Sequence, residues 1–227
     1  MTTTGTTSFS PTIVEIVEEA YERIGKELRT GYDLRSARRS LNLLCLDWAN
    51  RGLNLWTVEQ ESVPLLAGTA SYTLPTDTVD IIEAVRRQGS GTSQFDLSMS
   101  RISVSDYANI SVKNSPGPPV QYYVSRVDPP VVTVWPVPID TTYTLIYWKL
   151  RRIQDASTSG GDTTLDIPPR FVPAMVSGLA YQLAIKMAPE KAQLLKMQYD
   201  EDFGVASTED RDRASLFLVP AMQDYNR

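Results

Sequence analysis

Prolines partition the second half of this chain and leave few folds open to it. Residues 116–203 run PGPPVQYYVSRVDPPVVTVWPVPIDTTYTLIYWKLRR, then a polar loop, then DIPPRFVPAMVSGLAYQLAIKMAPEKAQLLKMQYDEDF. Proline lacks a backbone donor and clashes with the preceding turn, so no helix runs through Pro116–Pro119. Val120–Val127, Val131–Trp135 and Tyr143–Leu150 are rich in β-branched and aromatic residues. Asp128-Pro129-Pro130 and Pro136–Asp140 separate them with turn chemistry, which predicts three antiparallel strands. Ile167-Pro168-Pro169 then opens a helix from about Arg170 to Met187, where Pro173 is tolerated because it lies in the first turn. Pro189 opens a last helix, with Ala192, Leu195, Tyr199, Phe203 and Ala206 on one face. None of these residues reads as catalytic. The segment reads as a part built to pack against copies of itself.

The first half is helical before it is stranded. Residues 1–9 hold Thr, Ser and Gly with little to bury, and read as a flexible arm. Ser10-Pro11 is a helix start, with Ser10 as cap. Ile13, Ile16, Val17, Ala20, Ile24 and Leu28 recur at helical spacing, and Glu15, Glu18, Glu19, Glu22 and Arg23 take the other face. Thr30-Gly31 ends this helix. Asp33 caps a second one, whose buried stripe is Leu34, Ala37, Leu41, Leu44, Cys45 and Trp48, with Gly52 as its stop. The short 30–33 link makes the two an antiparallel hairpin. Leu55–Leu66, Ser71–Leu74 and Val79–Gln88 read as strands, with a turn at Gly68, and Ser103–Val112 as a short helix.

The fold class that follows is α+β. A four-helix bundle forms from the N- and C-terminal helices, residues 10–53 and 165–213. An antiparallel β domain, residues 54–153, is inserted between them. The Gly-rich polar stretch 154–164 is the crossing loop. The apolar-rich stretch 214–227 is an extended C-terminal tail.

Composition removes most chemistry. The chain has no histidine and one cysteine. That eliminates Ser-His and Cys-His nucleophile systems, the usual zinc sites and any internal disulfide. Cys45 sits in an apolar helical pattern and reads as core. There is no GxGxxG, no P-loop and no HExxH, and no cofactor or metal is expected. The segment SGGDT lacks a lysine and reads as a mobile loop. No apolar run reaches the ~18 residues of a membrane span. The N-terminus has neither the basic nor the apolar region of a secretory signal. The net charge is −5, opposite in sign to the basic footprint of duplex-binding proteins. Paired carboxylates such as Asp200/Asp202 or Asp210/Asp212 leave a carboxylate-dependent cell-wall hydrolase as an alternative. Alternate residues on a helix do not face each other, however, and nothing around these pairs reads as a pocket.

Three surfaces carry the functional reading. Ala174, Ser177, Gly178, Ala180 and Ala184 put small residues along the third long helix, which suits either packing within the chain or a subunit contact. Arg35, Arg38 and Arg39 share one face of the second helix. Their acidic counterparts are Asp200, Glu201 and Asp202, within a chain or between neighbouring subunits, so all six are subunit-interface candidates. In the tail, Leu216, Phe217, Leu218, Val219, Met222 and Tyr225 would form an exposed apolar patch unless they fold back or dock on a partner.

The pieces WANRGLNLW, YTLPTDTVDIIEAV, GPPVQYYV, VTVWPVP and IPPRFVPAMVSGLAYQLAIKMAPEKAQLL, in that order, cover most of residues 40–205. In them the chain resembles the head-to-tail adaptor proteins of short-tailed bacteriophages, also called head-completion or tubular tail proteins. The resemblance implies a helical bundle plus a β domain, and a homo-oligomeric ring, a dodecamer, between the portal protein and the tail nozzle protein. It implies that the extension from about residue 207 docks on the portal. It also implies a lumen through which genomic DNA leaves without sequence-specific binding. The location implied is the neck or tail of the virion, after assembly in the host cytoplasm and with no membrane partner. An acidic lumen would repel phosphate rather than grip it. Another neck or tail component is the blander alternative. The family offers no catalytic motif to carry over.

Overall fold

A computed structural model of the chain describes residues 5–6, 9–51, 55–156 and 163–210. Its class is α+β, with five α-helices and two four-stranded sheets. The first helix, α1, spans Ile13–Ile24 and α2 spans Gly31–Asn50. Both start with a capping box. Thr12 accepts from the Glu15 N–H and Glu15 reaches back to the Thr12 N–H, while Thr30 and Asp33 do the same for α2. Two expectations are thereby corrected. The cap of α1 is Thr12 and not Ser10, because only Thr12 has a carboxylate three residues on. Asp33 is the reciprocal partner of the cap Thr30, not the cap itself. The end of α1 also comes earlier than Thr30. Gly25 takes a left-handed conformation, φ 76°, and turns the chain there. Leu28 still packs on the core, from the loop.

Four helices share one hydrophobic core. The central one is α4, Val172–Met187, which packs against α1, α2 and α5, Ala192–Glu209. Its residues from Ala174 to Ala180 are buried without a break. A helix apolar on all sides belongs inside a protein. Its small residues are used within the chain. A Cβ on Gly178 would lie 2.8 Å from Leu44 Cδ2 and 2.9 Å from Tyr199 Cε2. The α2 and α5 side chains meet across that point, where the Trp48 indole N–H donates to the Tyr199 hydroxyl at 2.8 Å. Cys45 is buried in this core, and burial together with the Asp155 and Asp166 charges pushes its thiol up to about 12.

Between α2 and α4 in sequence lie all eight strands and α3, Val104–Asn109. The strands are β1 Val58–Pro64, β2 Ser71–Thr73, β3 Thr78–Gln88, β4 Phe95–Ser98, β5 Ser100–Arg101, β6 Gln121–Ser125, β7 Val131–Trp135 and β8 Tyr143–Arg151. One sheet has the order β1-β8-β3-β4 and is antiparallel throughout. The other has the order β2-β7-β6-β5 and is mixed, because β5 runs parallel to β6. Tyr72, Tyr122, Val132 and Val134 of the second sheet meet Ile81, Leu145 and Tyr147 of the first in a second hydrophobic core.

This corrects two expectations about the strands. The expected purely antiparallel β region contains one parallel pair. The three strands predicted over 120–150 do not form one meander either. Strands β6 and β7 pair as a hairpin, but β8 leaves for the other sheet, where it lies between β1 and β3. The crossing is the Pro136–Asp140 segment, which begins with a cis bond at Trp135-Pro136.

Candidate interaction surfaces

Where the two cores adjoin, the inward row of β8 changes character. Tyr143, Leu145 and Tyr147 belong to the sheet core, and the next two residues on that face are Lys149 and Arg151, both buried. Lys149 Nζ pairs with Glu61 at 2.8 Å and Asp77 at 2.9 Å. Burial opposes its charge, but the two carboxylates outweigh it and raise the ammonium above its usual range. Tyr147 donates to Glu61 at 2.9 Å, and burial beside that carboxylate drives its phenol well upward. Arg151 forks onto Asp166 and also binds Glu59 at 2.6 Å, which holds the start of the returning chain against β1 and β8. Asp166 in turn accepts from the Gln154 N–H.

The end of α5 is held in the same way. The buried carboxylate of Asp210 pairs with Arg170, just ahead of α4, and accepts from the Leu55 N–H at 3.0 Å. This fixes the end of α5 against the start of α4 and the segment ahead of β1. Of the Asp210/Asp212 pair, Asp212 lies outside the described residues. All six tail positions proposed for docking, Leu216, Phe217, Leu218, Val219, Met222 and Tyr225, likewise lie outside them.

The arginine face of α2 is present as expected. Arg35 and Arg39 are exposed and Arg38 is half-buried. They border an open groove of about 580 Å³ with Asn42, Leu43 and Leu46. Among the described residues none of the three makes an ion pair, and Arg38 Nε is buried with no hydrogen-bond partner. The Asn42 side chain accepts from the Ala156 N–H at 2.8 Å and ties the crossing segment to the rim. The acidic set on α5 does not meet the arginines within the chain. Asp200 and Glu201 are exposed, while Asp202 is half-buried toward the core side. The sequence reading missed the apolar residues that accompany both sets. Tyr32, Leu43 and Leu46 are exposed on α2, and Leu194, Met197 and Val205 on α5. The signal was available, as a second apolar stripe out of phase with the buried one.

Among the described residues there is no cluster of acidic or cysteine side chains able to hold a metal ion, and no helix is long and apolar enough to cross a membrane. The described surface is thus one of helix faces and grooves, and the comparison with known families gives its class: a phage head-to-tail adaptor. The chain belongs to the SU10 adaptor protein family, whose match covers residues 11–222. No curated protein matches it.

Proposed function

We propose that the chain is a structural connector of the virion neck. In this reading identical copies close into a ring between portal and tail nozzle, seal the head and pass the genome through a common lumen. The family match over residues 11–222 carries the reading. The division expected from the sequence, helices from 10–53 and 165–213 around an inserted 54–153 segment, serves it as a division of labour. The helical part meets neighbouring copies, and the strand loops meet the nozzle. The two separate hydrophobic cores support that division. The tail, starting beyond the anchored Asp210, docks on the portal.

The net charge of −5 per chain supports a conduit that does not grip DNA. A reconstruction of the assembled particle tests the proposal. Density for this chain between portal and nozzle is the expected result. Particles that retain their tail when the chain is omitted would overturn it.

A further inference from the structure

Two helix faces of this chain are unpartnered among the described residues, and they are opposite in charge. On α2 the face opposite the buried stripe carries Tyr32, Arg35, Arg39, Leu43 and Leu46. On α5 the face opposite Leu195, Tyr199 and Ala206 carries Leu194, Met197, Glu201 and Val205, with Asp200 at its edge. The apolar members are 50% to 71% exposed, far more than a packed helix face leaves open. We infer that the outer face of α2 on one copy packs against the outer face of α5 on the next.

Charge selects the occupant. Arginines that make no ion pair among the described residues meet carboxylates that make none there either, and Leu43 and Leu46 meet Leu194, Met197 and Val205. Each face alone repels its own copy: α2 against α2 brings arginines together, and α5 against α5 brings carboxylates together. The contact is therefore heterologous, with different surfaces on the two sides, the kind that propagates from copy to copy and closes into a ring when the rotation permits. Both faces can be used at once, because each points away from the core that α2 and α5 share with α4. Asp202 is left out of the contact, since it lies toward the core side of α5. Arg38 flanks the seam, half-buried beside the exposed Arg35 and Arg39.

This contact rests on the connector reading but is tested separately. Full-length chains carrying Leu43→Cys and Met197→Cys are mixed and oxidised. Cys45 is buried with its thiol pushed up to about 12, and so stays out of the reaction. The mixture is expected to give a covalent dimer, a chain bearing both substitutions a ladder of higher oligomers, and neither single variant alone a comparable product. Disulfide trapping accumulates even a sparsely populated contact. Failure to crosslink, when maleimide labelling shows both thiols accessible, would overturn the inference. Equally strong self-crosslinking of either single variant would also do so, by showing a symmetric contact. Arg35→Glu with Arg39→Glu should cut the yield about tenfold, and Asp200→Lys with Glu201→Lys on the partner should restore it. Crosslinking reports on the interface alone and axial position in the particle on the connector role, so either can fail without the other.

Discussion

Gly178 has room for a hydrogen and for little else. A methyl group there would press on Leu44 and Tyr199 at under 3 Å. Alanine is the better helix former by about 1 kcal/mol, yet overpacking a core costs about 1–3 kcal/mol. Gly178→Ala is therefore expected to lower the thermal midpoint, and a variant as stable as the parent would show that α2 and α5 can part freely. Lys149 raises a different question, that of a buried charge held by two half-exposed carboxylates. Lys149→Met removes the cation while water can still reach Glu61 and Asp77, so a loss of about 1–3 kcal/mol in urea unfolding is expected.

The pH dependence follows from the same cluster. Lys149 and Tyr147 both titrate higher in the fold than in the unfolded chain. Their contribution is complete below about pH 10, where the unfolded groups titrate, and is lost as pH rises through the folded values. Urea midpoints measured from pH 8 to 11 should fall at the alkaline end. Lys149→Met with Tyr147→Phe should flatten that fall, and parallel curves for parent and variant would refute the assignment. No spacing rule announces this cluster. In sequence Lys149 and Arg151 look like a strand running out into solvent, and only the pairing of β8 with β1 and β3 brings Glu59, Glu61 and Asp77 to them.

At the level of elements, the helices were legible and their ends less so. The stripes Ile13–Ile24 and Ala37–Trp48 are the buried stripes of the structure, because a 3.6-residue period survives any tertiary arrangement. The caps went astray where two polar residues competed, and the carboxylate at the third position decided in favour of Thr12 and Thr30. Thr30→Ala is expected to cost about 1 kcal/mol and to expose the start of α2 to amide exchange, with little change in the strands. For the strands, residue pattern gave positions but not partners. A short proline-containing connection between β7 and β8 reads the same whether the chain folds back or crosses to a second sheet. The two-residue parallel pairing of β5 has no signature of its own. The outer stripes of α2 and α5 are legible at the same helical period, as Tyr32, Leu43 and Leu46 and as Leu194, Met197 and Val205, interleaved with charged residues.

For the molecule as a whole, the tail and the helix faces separate into independent tests. Deleting residues 214–227 is expected to abolish portal docking while leaving the urea midpoint unchanged, since Asp210 and its partners Arg170 and Leu55 remain. Docking at parental strength would remove the tail from the connector's machinery. The small residues of α4 have a further consequence, one of angle rather than energy. Gly178 lies between Leu44 of α2 and Tyr199 of α5, so it gauges the width of the wedge whose two sides each meet a neighbour in the proposed contact. In a ring the wedge angle of one chain fixes how many fit around the axis. In the proposed ring, a single methyl at the apex would therefore show itself as a change in the number of copies, and with it in the bore of the lumen.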